Sequence, residues 1–126
     1  DLLKGQKPLH LLGNGQQIRH YTYGGDLAKG IVAAMKHPRA LNEDFNLSTS
    51  VSTTVLELAK LIWSKIYPEE DFEVVFDKPF EHDVQKRIPS VEKAKSLLGF
   101  EATTSLDEML DEVIPWLREA IKLELI

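Results

Sequence analysis

Two arginines are the side chains of this sequence best suited to bind an anion. Arg19 is the lone cation of the run Gly13 to Asp26, GNGQQIRHYTYGGD, where it stands beside His20, Tyr21 and Tyr23 between two glycine turns. Arg87 ends a charged loop just before Pro89-Ser90. A guanidinium is a planar fork of donors that fits phosphate oxygens two at a time, which an ammonium cannot copy. An arginine flanked by aromatic rings, between turns able to expose backbone N–H groups, suits a ligand with both a phosphate and a ring. The competing reading of any single arginine is a surface salt bridge, worth about 0–1 kcal/mol.

Other chemistries find little support. Gly13-Asn14-Gly15 begins like a dinucleotide fingerprint, but that motif needs a third glycine and a helix whose N-terminus receives the pyrophosphate. Here Ile18 holds the third position and a strand-like run follows, so the segment reads as a plain turn. No Walker-type loop occurs. His10, His20, His37 and His82 show no ligand spacing, and no metal site is expected. With no cysteine and no Gly-x-Ser-x-Gly elbow, nucleophilic catalysis has few candidates. The carboxylates of Pro68 to Asp71 and Asp107 to Asp111 read as solvated faces and helix starts.

The totals fit these limits. A chain of 126 residues with 43% hydrophobic and 28% charged residues is one ordinary globular domain. A net charge of −5 weighs against nucleic acid as a partner, since backbone phosphates call for clustered Lys and Arg. No apolar run approaches the roughly 20 residues of a membrane helix. The absence of cysteine fits a reducing cytoplasm. The sequence does not begin with Met, and Asp1 to Gly5 reads as the tail of a helix, so residues 1–126 are taken as a single domain cut from a longer protein.

The elements that must position the arginines follow from periodicity. Leu9 to Leu12 reads as a strand, and Asn14-Gly15 predicts a hairpin that pairs it with a second strand over Ile18 to Tyr23. Asp26 is placed at a helix N-cap, with Leu27, Ile31, Val32 and Met35 as the buried stripe and Pro38 as the stop. Asp44 to Leu47 is a brief strand candidate. Ser52 or Thr53 is expected to cap a helix with Val55, Leu58, Ala59, Ile62 and Ile66 inward. Glu73 to Phe76 reads as an edge strand, and Lys78 to Ile88 as a loop. Pro89-Ser90 opens a short helix ended by Gly99, with Val91, Ala94 and Leu97 inward. Ser105-Leu106-Asp107-Glu108 is a capping box, and the stripe Leu106, Met109, Leu110, Val113, Leu117 and Ile121 keeps its phase across Pro115, which predicts a bend and not a break.

Residues 9 to 126 resemble the carboxyl-terminal substrate domain of the NAD-dependent nucleotide-sugar epimerase/dehydratase family, the extended short-chain dehydrogenases. LLGNGQQIRHYTYGGDLAKGI is similar to its strand–turn–Arg–aromatic–Asp–helix signature. FNLSTSVSTTVLELAKLI resembles its Asn-hydrophobic-small segment ending in Glu-Leu-Ala, and HDVQKRIPSVEKAKSLLGF with SLDEML and WL its closing pattern. Three such pieces in the right order and spacing make the match specific. Gly24 stands where the family usually has valine, His20 where an acidic or small residue is common, and Phe100 where it has tryptophan.

The resemblance implies a small mixed α/β domain of short strands in one or two sheets, covered by about four or five helices. It is the C-terminal lobe without its Rossmann half. It further implies that Arg19 and Arg87 clamp the diphosphate of a nucleotide-diphosphate sugar, that Gln17 lies beside that site, and that Thr54 and Asp83 are looser candidates for contact with phosphate or ribose. The family's NAD site, Tyr-x-x-x-Lys pair and catalytic Ser/Thr belong to the other half. NAD is therefore expected in the intact cytoplasmic enzyme, with no cofactor, metal or catalytic residue in this chain; a homodimer of the intact enzyme is compatible with the family pattern. The rival is a non-catalytic binding or protein-interaction domain on the same scaffold. Sugar, base and the reaction after oxidation stay open.

Overall fold

The computed structural model describes residues 2–126 of the chain. The expected helical tail at residues 1–5 includes Asp1, which lies outside the described residues; Leu2–Lys4 form one 3-10 turn, closed by Gly5 at φ 77°. Strand β1 (Leu9–Leu12) forms from the apolar run after Pro8, but it does not pair with the segment that follows. Its partner is β4 (Val74–Asp77), in parallel, with Leu9 opposite Val74 and Leu12 opposite Asp77. Strand β2 (Ile18–Arg19) pairs antiparallel with β3 (Thr53–Thr54), Arg19 lying opposite Thr53.

The expected hairpin is therefore wrong, and the reason lies in its turn. Gly13 and Gly15 both take φ 72°, and the chain leaves them toward helix α2 (Val55–Ile66) instead of reversing onto β1. The Leu56 N–H donates to the Gly15 carbonyl at 2.9 Å and the Val55 N–H to that of Gln17 at 3.1 Å.

The second expected strand is shorter than its pattern promises and a third does not form. Residues 20–23 carry no ladder beyond β2, and Asp44 to Leu47 is not a strand. The first segment is tied to residues 48–52 by side chains instead: Thr22 Oγ1 accepts from the Thr49 N–H at 3.0 Å and lies 3.2 Å from Ser48 Oγ. Local hydroxyls have taken up groups that a sheet would otherwise use.

Helix α1 (Gly24–Lys36) starts two residues before Asp26, with Tyr23 as its N-cap, and ends before Pro38. Its expected inward stripe faces solvent: Ile31 is 47% and Met35 81% exposed, whereas Asp26 and Gly30 are buried. The helix packs by its small face. An added Cβ on Gly30 would lie 2.9 Å from the Phe100 ring and 3.1 Å from Leu47, an approach that only glycine permits.

The remaining helices follow the sequence closely. Helix α2 begins one residue later than expected, at a capping box in which Thr54, not Ser52 or Thr53, pairs with Glu57. Its Trp63, absent from the expected stripe, is almost wholly buried, with its ring T-shaped to Phe72 and its Nε1–H donating to the Glu70 carbonyl at 3.2 Å. Helix α3 (Glu92–Leu98) starts two residues after the expected Ser90, with Val91 as an N-cap that makes no side-chain bond, and stops at Gly99 in the left-handed region, φ 64°. Helix α4 (Leu106–Lys122) carries the Ser105–Glu108 capping box and runs through Pro115 without a break. The buried apolar residues come from several elements, among them Leu11 of β1, Trp63 of α2, Ala94 of α3, Phe100, and Leu110 and Ile114 of α4. The result is the mixed α/β domain that the sequence implied: two two-stranded sheets and four α-helices among the described residues.

Candidate functional site

Strand β2 is only two residues long, yet three segments hold it. Beyond its pairing with β3 and the contacts of residues 15–17 with α2, it bridges in parallel to Lys86. The Ile18 N–H donates to the Gln85 carbonyl at 2.8 Å, and the Arg87 N–H returns a bond to the Ile18 carbonyl at 3.2 Å. The segment read as a loop over residues 78–88 is thus stitched to the arginine-bearing strand. This stitching brings Arg19 and Arg87, far apart in sequence, to the same place.

Both arginines line one open cavity of about 700 Å³. His20 and Tyr21 continue its wall from β2, Asn46 from the irregular segment, Val55 from the start of α2, and Ile88 and Pro89 from the stretch after Arg87. No carboxylate is among the lining residues. Arg87 is exposed, and among the described residues no carboxylate lies within ion-pair distance of it. Burial pushes the Tyr21 phenol above its ordinary pKa, and the Arg19 charge opposes part of that rise, so the phenol keeps its proton at neutral pH and can donate a hydrogen bond.

His20 is held at both ring nitrogens, Nδ1 2.8 Å from the Thr49 carbonyl and Nε2 2.9 Å from Ser52 Oγ. A carbonyl only accepts, which places a proton on Nδ1. These two bonds fix the ring against the wall. Asn46 likewise secures the segment before α3, donating from Nδ2 to the Ser90 carbonyl at 3.1 Å.

The other residues singled out from the sequence lie beside or behind this wall. Gln17 is 4% exposed; its Nε2 donates to the Leu12 carbonyl at 3.0 Å and to Asp83 Oδ2 at 2.8 Å. Its Oε1 is buried without a partner, a deficit of about 1–3 kcal/mol. Asp83 turns its other oxygen to Arg19 Nη2 at 3.4 Å. Thr54 spends its hydroxyl on the cap, accepting from the Glu57 N–H at 3.1 Å and donating to Glu57 Oε2 at 2.8 Å. Neither it, Gln17 nor Asp83 is among the residues that line the cavity.

Of the aromatic neighbours noted beside Arg19, His20 and Tyr21 reach the wall, whereas Asn46, Val55, Ile88 and Pro89 were missed. The Ile88-Pro89 pair had a usable signal, since it neighbours an arginine already selected. Asn46 and Val55 had none, because their place depends on how residues 46–55 fold over β2.

The arrangement is an open cleft that carries two guanidinium groups and an apolar side. The family model described as GDP-mannose 4,6 dehydratase matches residues 1–113. UDP-glucuronic acid decarboxylase 2 of Arabidopsis thaliana is 34% identical over 116 residues, which is 92% of this chain and 25% of that protein. The structure of UDP-glucose 4-epimerase from Thermotoga maritima with UDP-glucose superposes with a TM-score of 0.82 at 32% identity, covering 94% of this chain and 37% of the epimerase. That of UDP-glucuronic acid 4-epimerase from Bacillus cereus, in complex with UDP-glucuronic acid and NAD, gives 0.74 at 27% identity, with coverage of 83% and 33%. The chain belongs to the NAD-dependent nucleotide-sugar epimerase/dehydratase family and has the fold of its C-terminal lobe. It spans about a quarter to little over a third of these relatives' lengths.

Among the described residues no helix is long and apolar enough to cross a membrane.

Proposed function

We propose that this chain is the nucleotide-sugar-binding lobe of an NAD-dependent epimerase, dehydratase or decarboxylase, with Arg19 and Arg87 clamping the substrate's diphosphate. The observation that carries the reading is the presence of both arginines on one cavity whose wall has no carboxylate. Two forked cations suit one diphosphate, and each charge-assisted hydrogen bond contributes about 1.5–3 kcal/mol. Val55, Ile88 and Pro89 offer an apolar wall for a ring, while Tyr21 and Asn46 supply polar groups to orient it. The complex of the Bacillus cereus relative with UDP-glucuronic acid and NAD supports this substrate class.

NAD supplies, when bound, the hydride acceptor for sugar oxidation. Among the described residues the Gly13–Gly15 turn, the one glycine motif weighed for it, does not form the expected cradle. The Gly13–Gly15 turn enters β2, and its Gly15 carbonyl faces the start of α2, so no helix N-terminus meets a pyrophosphate there. In this reading the cofactor and the proton- and hydride-moving groups belong to the rest of a cytoplasmic enzyme. This lobe binds and orients the sugar nucleotide.

Calorimetric titration of the intact protein with UDP tests the proposal. Arg19→Ala and Arg87→Ala should each weaken binding by about one to several kcal/mol. Unchanged affinity in both variants removes the clamp and leaves the rival, a protein-interaction domain on this scaffold.

A further inference from the structure

We propose that Asp83, itself held by Gln17, is a positioning residue that aims the Arg19 guanidinium across the cavity. The inference rests on Arg19 being an anion ligand, as read above, and assigns Gln17 and Asp83 a place behind it instead of against the ligand.

The geometry forms a relay of three side chains. Gln17 Nε2 donates to the Leu12 carbonyl at 3.0 Å and to Asp83 Oδ2 at 2.8 Å. Both partners are acceptors. Turning the amide over would set its oxygen against each of them, so its orientation is fixed. The cost of that orientation is visible in the buried Gln17 Oε1, which has no partner. Anchored in this way, Asp83 presents Oδ1 to Arg19 Nη2 at 3.4 Å, while Arg19 Nη1 donates to the Ile18 carbonyl at 2.8 Å. Of the five N–H groups of a guanidinium, three stay available to a ligand. Gln17 and Asp83 are not on the cavity wall, whereas Arg19 is.

One segment therefore sets both cations. The stretch that ends in Arg87 also carries Asp83, and its backbone is bonded to Ile18 on either side of Lys86. A carboxylate beside Arg19 lowers the local positive charge, which alone would weaken anion binding. The relay offsets this by restricting a long side chain to one direction before the anion arrives.

The test compares the intact protein with Asp83→Asn, Gln17→Met and Arg19→Ala, using UDP as the probe. Calorimetry gives the affinity, and NMR of the Arg19 guanidinium N–H groups reports how freely it rotates. The expected result is a roughly 3- to 10-fold loss of UDP affinity in Asp83→Asn and a smaller one in Gln17→Met. The Arg19 Nη protons, distinct in the parent protein, should average in both. Unchanged or tighter UDP binding in Asp83→Asn, with Arg19→Ala still damaging, overturns the relay and leaves the clamp intact. Arg19 signals that stay distinct in Asp83→Asn and Gln17→Met overturn it as well, even where affinity falls. If Arg19→Ala leaves UDP binding unchanged, the clamp fails and the relay with it.

Discussion

Arg19 and Arg87 share an acceptor: the Ile18 carbonyl takes a hydrogen bond from Arg19 Nη1 at 2.8 Å and from the backbone N–H of Arg87 at 3.2 Å. One carbonyl on a two-residue strand thus fixes the side chain of the first arginine and the main chain of the second. The backbone of the second arginine is thereby held beside the side chain of the first.

Replacing either fork by an ammonium should therefore be costly. Lysine keeps the charge but cannot hold two phosphate oxygens at once, and in place of Arg19 it cannot reach both Ile18 and an anion in the same geometry. On the proposed clamp, Arg19→Lys and Arg87→Lys should each lower affinity for the probe UDP by about 1–2 kcal/mol, measured by calorimetry. The double variant should lose less than the sum of the two, because both act on one anion. Full retention of affinity in the lysine variants would show that net charge alone holds the ligand.

Thr54 separates stability from binding. Its side chain closes the α2 capping box with Glu57, whose carboxyl is held below its ordinary pKa chiefly by the Thr54 backbone N–H. Thr54→Val should lower stability to urea by about 1 kcal/mol, while Thr54→Ser should be close to neutral. Both should bind UDP within about twofold of the parent protein. A loss of affinity at unchanged stability would instead put the hydroxyl on the ligand.

How far the sequence could be read depended on the distance between partners. The Ser105–Glu108 box and the Gly99 stop needed only neighbours, and both are found where the residues implied. The partner of β1 lies 65 residues away in register at Val74, and the local Asn14-Gly15 signal pointed to the wrong strand. The inward face of α1 was misread for a similar reason. Its apolar residues suggested one face, but the Phe100 ring and the Thr103 and Thr104 backbone, far along the chain, draw in Gly30 and Asp26. The two arginines were chosen for their chemistry and through the family resemblance. That Asp83 faces Arg19 depends on the pairing of Ile18 with Lys86, which no pattern in either segment announces.

Gly30 tests the packing of α1. Alanine is intrinsically better in a helix by about 1 kcal/mol, so an open site would gain. Here the new methyl would meet two atoms of the buried Phe100 ring at 2.9 and 3.0 Å and Leu47 at 3.1 Å. Overpacking of that kind costs about 1–3 kcal/mol, which should outweigh the helical gain. Gly30→Ala should show a lower urea midpoint than the parent, and adding Phe100→Leu should restore part of the difference. A raised midpoint in the single variant would mean that α1 moves freely away from Phe100.

Asp26 gives the fold a pH signature. Its side chain is 2% exposed. Oδ2 accepts from the Thr103 N–H at 3.0 Å and the Thr104 N–H at 2.8 Å, and Oδ1 from Lys29 Nζ at 3.0 Å. The Thr104 backbone bond leads these causes, with the Lys29 bond next, in lowering the pKa from 3.8 to about 2. A carboxyl whose folded pKa is depressed stabilises the folded state most fully above its unfolded value. That contribution is then lost as pH falls from about 4 toward about 2. It amounts to at most about 2 kcal/mol, because the Lys29 ammonium is exposed and screened by solvent. Asp26→Asn keeps the shape but removes the charge and turns one acceptor into a donor. It should be less stable than the parent by about 1–2 kcal/mol at pH 7, and the gap should narrow as pH falls from about 4 toward about 2. Urea titrations across that range measure it, and a gap independent of pH would assign the effect to packing and not to the carboxylate's charge.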